Sequence, residues 1–274
     1  MSNFDIKRFA RTVLWSYRMN FKGVLSFTAG LSIGCLGPYI GWMYPYLKYG
    51  GQVSAERLMH SVELESLIYL LAIIICGAWI FADMNTKERR ITVKMLPSTD
   101  LEKFLVRFLA VTLGAMIVSL VAFIIADLLR IVVCLVAGID YVKFCLPDFL
   151  EMLFTNRQSA ITAGNGGHLY PPGVLFMAMS WVVWAQSLYV LGGTLLRRYQ
   201  FVIVSTVHVL LFIAMAALTA YAVGDIEKLV DNPANGPLFF AGGGVLSGFA
   251  LLNWWLSYRV FSRMQVINNK WINL

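Results

Sequence analysis

The sequence is poor in charge: 14% of its 274 residues are Asp, Glu, Lys or Arg, against about 25% in a soluble domain. It has three histidines and four cysteines. Neither type falls into a metal-ligand spacing; there is no H-E-x-x-H and no C-x-x-C, so no zinc site of known pattern is expected. No G-x-x-x-x-G-K-[ST] loop is present to cradle phosphates, so the chain is not expected to hydrolyse ATP by that route. A G-x-S-x-G nucleophile turn is also missing. The glycine-rich run AGGGVLSG (241–248) has no lysine and sits in apolar sequence, where close helix packing accounts for it. These gaps argue against an enzyme, and no cofactor of the chain's own is expected.

Apolar residues are in excess. They make up 59% of the chain, and mean hydropathy is +0.70. A helix needs roughly 20 apolar residues to cross a bilayer core about 30 Å thick. Six stretches meet or approach that length: 24–46, 64–84, 104–129, 174–196, 201–223 and 238–258. Barrel strands alternate, whereas these runs are continuous, so the spans are expected to be helices. The expected fold is an all-α integral membrane protein, one transmembrane domain over 1–274 with six transmembrane helices.

The formal net charge is +7, but its distribution points away from nucleic acid. With the N-terminus inside, 16 of the 22 Lys and Arg fall in inner segments, and ten of the 15 acids fall in outer ones. The positive-inside rule then puts both termini in the cytoplasm, with the basic excess facing anionic lipid headgroups. No cleavable leader is expected, because the first apolar run is too long for one.

Residues 1–23 read as an amphipathic interfacial helix. Ile6, Phe9, Ala10, Val13, Leu14, Tyr17 and Phe21 fall on one arc, and Lys7, Arg8, Arg11, Arg18 and Lys22 on the other. Trp15 alone is out of place. A charged flank without fixed geometry is the alternative. In the first span, Gly30 and Gly34, then Gly37 and Gly41, have the spacing that lets helices approach closely, and Pro38 is expected to bend the helix. An outer insert, 139–173, reads as a short helix followed by a Gly-rich loop. Cys35 and Cys76 read as small core residues. Cys134 and Cys145 could pair in an oxidising compartment or stay free. A cytoplasmic tail, 259–274, ends the chain.

The densest charge lies in TKERRITVKMLPSTDLEKFL (86–105), between the second and third spans. RRITVKM alternates polar and apolar residues, which suits an extended piece. Pro97 stops any helix reaching it from the N-terminal side, Thr99 offers an N-cap, and Glu102 three residues on completes a capping box. Asp100 and Glu102 favour the positive end of the helix that follows. The expectation is a structured inner elbow carrying Lys87, Glu88, Arg89, Arg90, Lys94, Pro97, Thr99, Glu102 and Lys103. Contact with a cytoplasmic protein is one use for it, and binding of lipid headgroups the other. Within spans, Arg107 is placed to snorkel to the inner edge, Asp127 to pair with Arg130 three residues on, and His208 to bond a neighbouring helix. No acid is placed near mid-membrane, which favours an external energy source.

Three stretches carry a resemblance: KERRITVKMLPSTDLEKFLVRFL (87–109), QSLYVLGGTLLRRYQF (186–201) and NWWLSYRVFSRMQVINNKWINL (253–274). With the six-span plan, they resemble permease subunits of the type-2 superfamily of ATP-binding-cassette transporters, especially small bacterial ones. The most specific element is the pattern Leu96-Pro97-Ser98-Thr99 followed by Glu102-Lys103-Phe104-Leu105. The resemblance implies a permease of the bacterial cytoplasmic membrane, an exporter, paired with a second copy or a paralogue. By the same resemblance it would be driven by a separate ATPase subunit that binds ATP and Mg. The inner loop between spans two and three would rest in a groove of that ATPase, with Glu88, Arg89 and Arg90 as charged contacts. One departure is that the outer segment between spans five and six is short, where the family often has a re-entrant helical pair. A non-transporting membrane scaffold, assembly or sensor protein is the other reading of the same residues.

Overall fold

The computed structural model describes residues 4–49, 55–84, 87–139, 143–154, 172–196, 199–223 and 235–264. Among them there is no β-strand. The helices are α1 (Ile6–Tyr49), α2 (Ala55–Cys76), α3 (Lys87–Met95), α4 (Asp100–Leu109), α5 (Ala115–Val136), α6 (Leu146–Phe154), α7 (Pro172–Leu195), α8 (Gln200–Val223) and α9 (Gly236–Arg263). Short 3-10 turns at Gly77–Trp79 and Ala82–Met84 follow α2, and a π turn at Ala110–Gly114 joins α4 to α5. Six helical stretches are long and apolar enough to cross a membrane: Ile6–Tyr49, Leu58–Trp79, Asp100–Val136, Pro172–Leu195, Gln200–Leu218 and Gly236–Arg263. Each overlaps one of the runs read from sequence, and together they are the mark of a multi-pass membrane protein.

Two expectations about local structure are corrected. Helix α1 is continuous through residue 23, because a single glycine, Gly23, costs only about 1 kcal/mol there and the prolines, Pro38 and Pro45, come later. The RRITVKM piece is helical, not extended. Arg90 and Val93 are buried on one face of α3 while Glu88, Arg89 and Thr92 are exposed, a three-to-four residue period that short alternation had masked. Most of the expected outer insert (140–142 and 155–171) and residues 265–274 of the tail lie outside the described residues. So do the side chain of Lys87 and the turn residues Arg197 and Arg198.

The chain divides into two compact units. One unit comprises Asn20–Ile73 and Gly114–Thr155. Its core joins Tyr39, Trp42 and Met43 of α1, Leu58, Val62 and Tyr69 of α2, Phe123 of α5 and Phe149 of α6. Phe149 stacks on Phe123 at 4.1 Å and meets Tyr69 edge-on at 5.3 Å, which seats α6 as a short helix, as its sequence suggests. Gly138 ends α5 in the left-handed region at φ 69°. The Ile139 N–H donates to the Cys134 carbonyl at 2.9 Å and the Gly138 N–H to Leu135 at 3.3 Å, the Schellman pattern that a glycine makes without strain. A Cβ added at Gly30, Gly34, Gly37 or Gly41 of α1 would meet no atom within 4 Å, so the close approach their spacing permits is not made among the described residues.

The other unit comprises Met1–Met19, Ile74–Leu113 and Asn156–Leu274. Here α7 and α9 run closely together. A Cβ on Gly173 would stand 2.7 Å from the Gly236 carbonyl oxygen, and one on Gly243 would stand 2.6 Å from the Phe176 ring. Small residues bring the two backbones together, as the 241–248 composition suggests. Across the same seam, Ser247 Oγ donates to Ser180 Oγ at 3.2 Å and Asn253 Nδ2 to Ser187 Oγ at 2.9 Å. The 3-10 turn at Gly77–Trp79 packs on α7, where a Cβ on Gly193 would lie 2.6 Å from the Ala78 carbonyl oxygen. Gly193→Ala is therefore expected to lower stability by about 1–3 kcal/mol through backbone displacement. Gly244, with open space around it, should accept alanine without loss. Thermal unfolding of the purified variants in detergent checks both.

Candidate functional site

The elbow between α3 and α4 is built from the backbone outward. Pro97 is exposed at the bend, and Thr99 follows in extended conformation at φ −68°, ψ 157°. Thr99 Oγ1 accepts from the Glu102 N–H at 3.2 Å, and Glu102 Oε2 accepts from the Thr99 N–H at 2.9 Å. The capping box read from sequence is therefore present, and it starts α4 at Asp100.

Glu102 does more than cap. Its carboxylate is fully buried and accepts four hydrogen bonds. Beside Thr99, the donors are the Asp5 N–H at 3.0 Å, Arg8 Nε at 2.8 Å and Arg8 Nη2 at 2.7 Å. The two-pronged arginine bond is the strongest pairing a carboxylate makes. It ties the first turn of α1 to the first turn of α4. Asp5 in turn caps α1, its Oδ1 accepting from the Lys7 N–H at 2.8 Å.

Lys94 and Lys103 close the bend from the α3 side. Lys94 Nζ lies 3.2 Å from Asp100 Oδ1 and 3.4 Å from the Phe261 carbonyl oxygen, 4.7 Å over the Phe261 ring. Lys103 is buried and donates to the Lys94 carbonyl at 3.0 Å. Below them an aromatic cluster fixes α4 on α9. Phe104 meets Tyr258 edge-on at 5.6 Å, Phe108 meets Trp254 at 5.1 Å, and Phe81 stacks on Phe261 at 5.0 Å. Arg107 is buried, with Nη1 3.3 Å from the Lys103 carbonyl oxygen and its guanidinium over Phe81.

The structure thus brings Lys94, Thr99, Glu102 and Lys103 into one network. Glu88 and Arg89 are exposed on the outer face of α3. Arg90, expected beside them as a surface contact, is buried instead, one helical turn before buried Val93. The helical period of α3 turns it inward.

The face of α1 turned into this unit carries Arg8, Thr12, Trp15 and Ser16, not the apolar arc. Ile6, Val13, Leu14 and Tyr17 stay exposed. Trp15, the residue out of place on the sequence arc, packs against the aromatic cluster.

In the other unit, Asp127 and Arg130 pair as their spacing suggests. Arg130 Nε and Nη2 donate to Asp127 Oδ1 at 2.9 and 2.7 Å, and both side chains are fully buried. Nη2 also reaches the Lys143 carbonyl, and Asp127 Oδ2 accepts from the Cys145 N–H at 2.8 Å. The guanidinium lies 5.1 Å over Tyr39 and 5.9 Å over Trp42. His208 sits apart, ringed by Trp181, Trp184 and Tyr189 at 5.4 to 6.0 Å. Its Nδ1 has no hydrogen-bond partner among the described residues, in place of the expected bond to a neighbouring helix.

Cys134 and Cys145 are buried free thiols. Burial pushes the Cys145 thiol up to about 12, which leaves only a trace of thiolate near neutral pH. Cys145 in the folded protein should alkylate at least about a hundredfold more slowly than in the unfolded chain. Mass spectrometry of iodoacetamide-treated protein, without reductant, checks this; a chain lighter by two hydrogen atoms would instead show a disulfide.

Sequence reasoning missed two features. The Arg8–Glu102 clasp joins residues 94 positions apart, which no local pattern reports. Glu65 lies within the span Leu58–Trp79 and is fully buried. It stands near one end of the 64–84 run, and Ser61 and Ser66 close to it in sequence are the local hint of a polar interior.

The fold and site define a helical multi-pass membrane protein with a folded, charged elbow between its second and third spans. Comparison of the chain with protein-family models, with curated proteins and with solved structures finds no match in any of the three.

Proposed function

We propose that the chain is the membrane-spanning permease subunit of an ATP-driven transporter of the ATP-binding-cassette type, working as an exporter. In this reading it lies in a bacterial cytoplasmic membrane with both termini inside, and pairs with a second copy or a paralogue. A separate ATPase subunit binds ATP and Mg and rests against the elbow; this chain hydrolyses nothing. The first turns of α1 lie in the inner interface, with the exposed apolar arc toward lipid.

The observation that carries the reading is the locked elbow. A loop that merely binds headgroups needs cations but no fixed geometry. This one has a capped helix start, a buried carboxylate with four donors, and a lysine bridge back to α3. Such a bend moves as one piece when pushed. Its outward face on α3 offers Glu88 and Arg89 to a partner.

The test is purification of the tagged, full-length chain from its native membrane in mild detergent. An ATPase with a phosphate-binding loop should co-purify. Glu88→Lys combined with Arg89→Glu should weaken that association roughly tenfold or more, a change of about 1.4 kcal/mol, at unchanged melting temperature. Absence of any nucleotide-consuming subunit would overturn the reading in favour of a scaffold. Undiminished association in the variant would refute the assigned contact.

A further inference from the structure

Among the described residues, the unit containing α2 holds one fully buried carboxyl group that the fold leaves unpaired. Glu65 is fully buried, and neither of its carboxyl oxygens has a hydrogen-bond partner among the described residues. The titratable groups around it are Tyr39 and Cys35 of α1, Asp127 and Arg130 of α5, and Cys145 ahead of α6. Two of them also carry spare polar atoms. Tyr39 Oη and Arg130 Nη1 are buried and have no partner among the described residues.

Counting charge decides what the site takes. Arg130 is matched by Asp127, which it grips through two nitrogens. Both Asp127 oxygens are committed, one to Arg130 and one to the Cys145 N–H. An ionised Glu65 would therefore leave one uncompensated negative charge in a core of aromatic and aliphatic side chains. A group in that position either neutralises or holds a cation. A metal ion needs several oxygen or nitrogen ligands. Among the described residues, no group of three His, Cys, Asp or Glu could hold one. A proton needs one oxygen.

We propose that Glu65 is a proton-binding site, held as the neutral acid between Tyr39 and Arg130. Protonation gives the site an O–H that can donate to Tyr39 Oη and a carbonyl oxygen that can accept from Arg130 Nη1, using polar atoms that the fold otherwise leaves unbonded among the described residues. On release, the O–H bond breaks, the proton passes to water and the carboxylate remains. That carboxylate is stable only where water reaches it, so proton exchange is tied to rearrangements that open this unit. The site stands on the geometry of this unit and is independent of the coupling role of the elbow.

Infrared spectroscopy of the full-length protein in nanodiscs at pH 7 tests it. The wild type should show a carboxylic-acid C=O band, worth one group per chain, that shifts in D2O. Glu65→Gln should remove the band, Tyr39→Phe should move its frequency, and Glu63→Gln, at a carboxylate paired with His60, should leave it intact. A wild-type spectrum without such a band, with or without sodium present, would overturn the proposal, as would a band that survives Glu65→Gln. The wild-type and Tyr39→Phe spectra decide the matter even if Glu65→Gln does not fold.

Discussion

Arg130→Met should destabilise the protein by about 3–5 kcal/mol, the usual cost of removing one partner from a buried ion pair. The reason is what it strands. Asp127 is fully buried, and without Arg130 its charge keeps only the Cys145 N–H as a donor. Arg130 also holds the Lys143 carbonyl, so the segment leading into α6 loses its tether. Its packing over Tyr39 and Trp42 goes too. Asp127→Asn added to Arg130→Met removes the stranded charge and should recover a large part of the loss. Unfolding followed in detergent or mixed micelles gives the double-mutant cycle. A single-variant loss below about 1 kcal/mol would mean the pair is solvated rather than sealed in the core.

The second large effect is expected at Glu102. Glu102→Lys places a cation against Arg8, and near Lys103, where four donors converge on a carboxylate. The capping box is lost at the same time. The elbow should come apart, exposing the chain around Pro97 to protease and lowering any ATPase coupling by roughly tenfold or more. Exchanging the charges, Arg8→Glu with Glu102→Lys, should restore only part of the protection: the side-chain pair is re-formed with reversed sign, while the Thr99 and Asp5 N–H groups still lack their carboxylate acceptor. Glu102→Gln keeps the cap but weakens the clasp, and should fall between. If Glu102→Lys leaves the protease pattern unchanged, the clasp does not hold the bend.

These residues show what a sequence can and cannot reveal. The six spans are legible because continuous apolar runs leave helices as the only economical way to satisfy backbone groups in lipid. The capping box is legible because Thr99 and Glu102 act over three residues, on a helix start fixed by Pro97. The Asp127–Arg130 pair is legible for the same local reason. Long-range partners are not. Arg8 reads as one cation among many on a basic arc until α4 arrives with a carboxylate. Trp15 sits off the apolar arc of α1 because its partner is the aromatic cluster of α4 and α9, distant in sequence, and not a flat lipid surface. In α3, seven residues of alternation fit a strand and a helix face equally well, and tertiary packing of Arg90 and Val93 chooses the helix. Glu65 escapes because hydropathy averages over a window, and one acid among so many apolar neighbours barely lowers it.

A photo-crosslinking residue in place of Arg89, activated in intact native membranes, asks directly what the outer face of α3 touches. The expected product is a single adduct with an ATPase subunit lying on the cytoplasmic side. A probe at Tyr221, exposed on α8, should give none. Adducts only with lipid, or labelling of position 89 only from the outer side of the membrane, would contradict a coupling role for the elbow.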